Sequence, residues 1–335
     1  VSARSQKTVG IVGAGVIASQ VHLPILLAMD DVRVVWIADA NERLARSVAT
    51  DHGIPAASLS SGVAALPEAE VVLIAIPLPP RAPYLDHYAR TDTALLVEKP
   101  LANDSDEHRR LVSLFPSWQL AVGYQRRYYA SFGMVRSFVA TGTLGSLRAI
   151  RVSEGGRTTR TDGAGQYQSL PVQAGGGILK NLGCHALDLA MWIADAQAFT
   201  ILQSEVAWDG ETDQRCRANV ELATRSGRIV QLAFESSWID RMENRIEFDF
   251  EAGRLSCPVA PAAEIGLLSP DGAPVASLTV LGRGQATSPR QAYYLEWRAM
   301  LEALEARVDQ PAAARESLLC SELIDALLRR PETRR

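Results

Sequence analysis

One short turn constrains this chain more than any other feature. Gly13-Ala14-Gly15-Val16-Ile17-Ala18 follows an apolar run at residues 8–12 and opens a helix-forming stretch over 17–29. A strand that passes into a helix through Gly-x-Gly-x-x-Ala needs each small residue for its own reason. Gly13 permits the tight turn, Gly15 lets backbone come close to a ligand, and Ala18 lets the helix lie close on its strand. The start of the helix, at Val16 and Ile17, then offers unpaired N–H groups and a partial positive charge, which suit a pyrophosphate. The pattern implies a bound dinucleotide. Asp39, at the end of the next apolar run, can accept both ribose hydroxyls of an adenosine and repels a 2′-phosphate, so NAD is the expected cofactor. Arg43 stands four residues later in the sequence and can reach such a phosphate, which keeps NADP possible.

Further apolar runs at 32–37, 71–76, 94–97 and 120–122 are rich in Val, Ile and Leu without strict alternation, as in strands covered on both faces. Helical stretches at 42–52 and 104–115 lie between them, the second with Asn103 or Asp104 as its cap. Strand–helix alternation of this kind predicts a doubly wound parallel sheet. After Gly123 the pattern changes. A helix over 129–141 precedes alternating runs at 148–154, 201–208, 218–224, 229–235, 245–251 and 275–281, with further helices at 177–194 and 291–307. We therefore expect an α/β chain of two domains: a nucleotide domain over 1–123, and an α+β domain over 124–335 built on a large, mostly antiparallel sheet.

A chain of 335 residues suits two such cores. A net charge of −4 gives no basic field for nucleic acid. No apolar run approaches the roughly 20 residues of a membrane span, and residues 1–7 lack the apolar core of a signal peptide. Cys184, Cys216, Cys257 and Cys320 lie far apart, without the spacing of a zinc site or a disulfide framework. A cytoplasmic protein is expected.

Two segments carry chemistry. Val97-Glu98-Lys99-Pro100 ends a buried run, and Pro100 holds Lys99 extended at the carboxyl edge of the sheet, where ligands bind. Lys99 there is either a donor to a substrate oxygen or a solvated strand-end lysine, and Glu98 anchors the turn or pairs with a cation. In Gly175-Gly-Gly-Ile-Leu-Lys-Asn181-Leu-Gly-Cys-His185-Ala-Leu-Asp188, helical periodicity puts Asn181, His185 and Asp188 on one stripe and Leu182, Ala186, Leu189 and Ile193 on another. The apolar stripe docks the helix. The polar one reads either as an acid/base histidine with Asn181 on substrate and Asp188 as its brace, or as groups bonded to neighbouring backbone. No metal is expected, because the other histidines (His22, His52, His87, His108) are scattered through the nucleotide domain.

Taken together, the glycine turn, Asp39, Glu98-Lys99-Pro100, Gly123-Tyr-Gln-Arg-Arg127 and the glycine-rich helix with His185 and Asp188 resemble the glucose–fructose oxidoreductase / inositol dehydrogenase / MocA family over nearly the whole chain. The resemblance implies a Rossmann domain, an open-sheet second domain, and a homodimer or homotetramer. It implies an NAD(P)-dependent dehydrogenase or ketoreductase acting on a sugar, nucleotide-sugar or cyclitol. By the same resemblance Lys99 and His185 are catalytic. Asn181 stands where many members carry aspartate, and an amide binds substrate but relays no proton. Ile76 and Pro77 join the cofactor-binding set with Glu98 and Lys99, although Pro77-Leu-Pro-Pro80 lacks the family's Pro-Asn-x-x-His. Gln125, Arg126 and Tyr167 are candidate substrate contacts, and Arg126 and Arg127 are alternatively ion pairs bridging the domains. Other readings within the fold are a redox-neutral epimerase or lyase, an imine reductase, and a nucleotide-sensing protein without turnover.

Overall fold

The computed structural model describes residues 6–157, 176–280, 285–309 and 312–330, and Tyr167 lies outside them. The chain forms two compact units, the first taking in residues up to Tyr124 together with Tyr293–Glu316, the second Gln125–Ala292 with Ser317–Arg335.

The first unit is built on five parallel strands: β1 (Lys7–Val12), β2 (Val32–Ala38), β3 (Val71–Ile74), β4 (Ala94–Val97) and β5 (Leu120–Val122), in the order β2-β1-β3-β4-β5. Every residue of β3 and β4 is buried, which explains their unbroken aliphatic composition. A single parallel bridge, Ile37 to Ala56, lies on the far side of β2. With Ala56 counted as a strand, the order becomes the 3-2-1-4-5-6 of a Rossmann sheet, and its switch point falls beside β1.

The connecting helices start and stop where local chemistry dictates. Helix α1 (Leu23–Leu26) continues a π-helical turn over Ile17–His22. In α2 (Glu42–His52) the Asn41 side chain accepts from Leu44 N, and Gly53 ends the helix in the left-handed region at φ 67°. Helix α3 (Ala82–Tyr88), which the aliphatic pattern did not reveal, follows β3. In α4 (Ser105–Leu114) Asp104 is the cap, accepting from Glu107 N at 2.8 Å, while Glu107 accepts from Asn103 N at 2.8 Å.

In the second unit, α5 (Ala130–Thr141), β6 (Leu147–Gly155) and α6 (Cys184–Ala194) are followed by seven strands: β7 (Ala196–Asp209), β8 (Thr212–Thr224), β9 (Ile229–Ser237), β10 (Arg245–Phe250), β11 (Arg254–Pro258), β12 (Glu264–Leu268) and β13 (Pro274–Thr279). The eight strands run β13-β12-β11-β10-β6-β9-β8-β7, antiparallel except for the β6–β9 pair. Cys216, Ala218, Val220 and Leu222 of β8 are buried and alternate with half-buried or exposed Arg217, Asn219 and Glu221. Helix α6 packs on β6 to β9, and α8 (Leu318–Leu328) packs on α6 and β7. The other face is crossed by ion pairs, including Arg217 to Glu235 at 2.7 Å and Arg254 to Asp249 at 2.5 Å.

Two expectations change. The domain assigned to 124–335 does not keep all of its chain. Helix α7 (Pro289–Ala306) spaces Trp297, Met300, Leu301 and Leu304 on one face, and that face is part of the first unit's core with Val9, Ile11 and Leu26. Strands β11 and β12 carry no long alternating run and were not expected from pattern alone; neighbours on both sides hold them in register.

Candidate active site

In the first unit the glycine turn is shaped as its residue types demand. Gly13 sits at φ 105°, and a Cβ there would lie 2.3 Å from the Ala75 carbonyl oxygen. Only glycine fits, because both the backbone angle and the neighbouring backbone exclude a side chain. Above Gly15 the space is open, with nothing within 4 Å of a Cβ position, and Val16 beside it is 62% exposed. Ala18 is buried. A tight turn, an approachable Gly15 backbone and a following helix make a cradle that fits a dinucleotide pyrophosphate. Replacing Gly13 with alanine is expected to weaken NAD(H) binding at least about tenfold by displacing the turn, with little change in fold. A fluorescence titration giving an unchanged dissociation constant would contradict this account of the cradle.

Asp39 clamps this loop. Its Oδ2 accepts from Ala14 N at 2.8 Å and its Oδ1 from Asn41 N at 2.7 Å. Each carboxylate oxygen keeps further acceptor capacity, so the clamp leaves room for ribose hydroxyls. Arg43 is exposed on the first turn of α2.

At the ends of β3 and β4, Ile76, Pro77 and Lys99 are half-buried, and the Lys99–Pro100 peptide is cis. Arg81 ties the two loops together. Its Nε donates to Ile76 O at 2.8 Å, and its Nη1 donates to Glu98 O at 2.5 Å and also to Pro100 O. Buried at 5% exposure, Arg81 stands where the Pro-Asn-x-x-His spacing would put histidine. Sequence reasoning noted the missing motif and overlooked its replacement. Glu98 is 8% exposed and accepts from His22 Nε2 at 3.0 Å. Burial opposes its charge, yet the His22 hydrogen bond and the cations Lys99 and Arg81 prevail and hold its carboxyl below the usual glutamate range.

In the second unit, the segment expected as one α-helix from about Gly177 is π-helical over Leu179–Gly183 before α6 begins. Asn181 therefore sits in the wider turn and His185 in the first turn of α6, so the uniform helical stripe drawn through Asn181, His185 and Asp188 does not hold. His185 is 7% exposed and Asn181 is half-buried. Asp213, which sequence reasoning missed, fixes the start of this helix: its carboxylate accepts from Gly177 N at 2.9 Å and Leu179 N at 2.8 Å. Burial raises its carboxyl above the usual aspartate range, against those N–H groups. Gly177 is required there, because a Cβ would lie 2.1 Å from Asp213 O.

Asp188 is occupied by Arg127, which donates through Nε at 2.8 Å and Nη2 at 2.5 Å, with both side chains no more than 2% exposed. Arg126 pairs in the same two-pronged way with Glu154, at 2.9 and 2.5 Å. Both of these pairs lie inside the second unit, and Glu154 neutralises Arg126. Gln125 is buried, its Oε1 without a partner among the described residues. Among those residues no group of three or more His, Cys, Asp or Glu is placed to hold a metal ion, and no helix is long and apolar enough to cross a membrane.

The profile described as "Oxidoreductase family, NAD-binding Rossmann fold" matches residues 7–125, and the Gfo/Idh/MocA C-terminal domain matches 132–256. Inositol 2-dehydrogenase from Rhizobium meliloti is 23% identical over 96% of this chain and 95% of its own. Among solved structures, aldose–aldose oxidoreductase from Caulobacter crescentus superposes with a TM-score of 0.79 at 17% identity, covering 96% of each chain. A 3-ketoreductase from Actinomadura kijaniata, in complex with NADP and TDP-benzene, gives 0.77 at 20% identity over 96% of this chain and 97% of that one. Both domains thus match in order along one chain that carries the glycine cradle, Asp39 and Glu98-Lys99-Pro100: the protein belongs to the Gfo/Idh/MocA family of NAD(P)-dependent oxidoreductases.

Proposed function

We propose that this protein interconverts a hydroxyl and a ketone on a sugar, nucleotide-sugar or cyclitol, with NAD preferred over NADP. The observation that carries the reading is Lys99 at the carboxyl end of β4, in the same unit as the Gly13 cradle and flanked by Glu98 and Pro100, whose carbonyls Arg81 ties down. The nicotinamide, when bound, supplies or takes up the hydride. Lys99 then holds and polarises the reacting oxygen and stabilises negative charge as it develops there. On the second unit's helix, Asn181 is an amide and Asp188 is committed to Arg127, so the proton falls to His185. Asn181 and the buried Gln125 Oε1 offer hydrogen bonds to substrate hydroxyls. Asp39 supports NAD by favouring ribose hydroxyls over a 2′-phosphate.

The test is absorbance at 340 nm with NAD⁺ and NADP⁺ against sugars, nucleotide-sugars and inositols. Turnover with tighter NAD binding is expected. Lys99→Met should lower kcat about 10²- to 10⁴-fold. Full kcat in that variant overturns the assigned role, and substrate conversion without a change at 340 nm identifies a redox-neutral reaction instead. The exposed, charge-laddered face of the eight-stranded sheet supports a homodimer or homotetramer, which light scattering on the purified protein decides. Four free, buried cysteines fit a reducing cytoplasm.

A further inference from the structure

One buried guanidinium gathers three backbone carbonyls from two loops of the first unit. Arg81 donates through Nε to Ile76 O at 2.8 Å, and through Nη1 to Glu98 O at 2.5 Å and to Pro100 O. Glu98 O and Pro100 O bracket Lys99 along the chain, so the backbone of the lysine is held on both sides. Ile76 leads in the other direction. A Cβ at Gly13 would lie 2.3 Å from Ala75 O and 3.0 Å from Ile76 Cγ2, which places the glycine turn directly against the segment that Arg81 grips. Ala75 N also donates to Val12 O, one residue before that turn, at 2.8 Å. Contacts therefore run without a gap from the turn through Ala75 and Ile76 to Arg81, and from Arg81 to both neighbours of Lys99.

Arg81 is not placed for the benefit of its own helix. It caps the N-terminus of α3, the end at which the helix dipole disfavours a cation, and it is 5% exposed. A planar fork of N–H donors reaches acceptors on both loops at once, which the single ammonium of a lysine does not. We infer that Arg81 is a positioning residue that couples the dinucleotide cradle to Lys99. Ordering the glycine turn on a pyrophosphate orders Ala75 and Ile76, and the guanidinium carries that order to the Lys99 backbone. The inference rests on the proposed function for its meaning in catalysis, but not for its physical content. The Glu98 side chain is anchored separately, with His22 Nε2 facing Oε1 at 3.0 Å and His22 Nδ1 accepting from Trp297 Nε1 at 3.0 Å. Glu98 N also donates to Ile74 O at 2.9 Å. Loss of Arg81 thus frees the Lys99 segment without undoing the end of β4.

The first experiment needs no substrate. ADP, which fills the adenosine and pyrophosphate places and ends there, is the probe, and amide hydrogen exchange of the whole protein is the readout. It is added at a concentration that fully protects the glycine-turn peptide. In wild type, ADP is expected to slow exchange in the peptide over residues 96–102 about five- to tenfold, and in Arg81→Met by less than about twofold. Arg81→Lys should behave as Arg81→Met does, and carries the test if that variant fails to fold. Equal protection of the Lys99 peptide in wild type and variant, or none in wild type, overturns the inference. Kinetics on a reacting member of the sugar, nucleotide-sugar and inositol panel add a readout that a merely structural role would not give. Arg81→Met should lower kcat about 10- to 100-fold with KM held within about threefold, since a misplacement of about 1 Å costs a catalytic group up to about that factor. In a Lys99→Met background the same substitution should change kcat less than about twofold. An equal drop in both backgrounds overturns positioning through Lys99. If protection of the Lys99 peptide depends on Arg81 but no member of the panel turns over, the coupling stands and the proposed reaction falls.

Discussion

Replacing Asp188 with alanine is expected to destabilise the protein by about 3–5 kcal/mol, because it strands the Arg127 guanidinium without its counter-charge. The pair is two-pronged, at 2.8 and 2.5 Å, and both side chains are almost fully withdrawn from water. Breaking one half of such a pair removes the attraction but leaves the desolvation of the other half in place. Removing both halves does not: the double variant Arg127→Met with Asp188→Leu should recover most of the loss. Trp192 lies 5.8 Å from the Arg127 guanidinium carbon and offers apolar surface to its replacement. Urea denaturation of the single and double variants gives the coupling energy directly. A single variant within about 1 kcal/mol of wild type would show that water reaches the pair and solvates Arg127. The same series separates two roles for Asp188. As a brace, its loss lowers stability while the remaining folded protein keeps its pH dependence of activity; as the partner of a catalytic His185, its loss would move that dependence.

This distinction shows where sequence reasoning stopped. The glycine turn, Asp39 and Glu98-Lys99-Pro100 were legible because their signals are local: a turn geometry that only glycine satisfies, a carboxylate at a strand end, a lysine before proline. The sheet of the first unit was legible for a related reason, since strands covered on both faces must be aliphatic throughout. Arg81, Asp213, His22 and Trp297 were not. Each acts on a residue remote in sequence, with Trp297 reaching back to His22 and Asp213 to Gly177 and Leu179, and no spacing rule links such partners. The π-turn before α6 was hidden for another reason. A continuous apolar stripe from Leu182 to Ile193 looks the same whether or not a turn upstream is widened, so the periodicity fixed the docking face and not the position of Asn181. The return of α7 to the first unit was equally silent, because its amphipathic spacing states that one face is buried but not in which core.

Glu296 supplies the second large effect, and its sign with pH is opposite to that of an ordinary paired carboxylate. Burial, reinforced by the nearby Glu98 charge, pushes its carboxyl well above the usual glutamate range, and neither oxygen has a partner among the described residues. In the unfolded chain the same group ionises near pH 4.5, as an ordinary glutamate does. Between those two points the unfolded state has released a proton that the folded state still holds, so rising pH favours unfolding by about 1.4 kcal/mol per unit. The group's stabilising balance is therefore fully present below the unfolded value and is lost as pH climbs toward the folded one. Glu296→Met keeps the length of the side chain, removes the titration, and relieves a buried polar group whose lack of a partner costs about 1–3 kcal/mol. The variant should accordingly melt above wild type, and the gap should widen from pH 5 to pH 8. Calorimetry at the two values decides it. A gap that is the same at both would mean that Glu296 ionises alike in the folded and unfolded protein, and that an ordered water or cation reaches it beside Glu98.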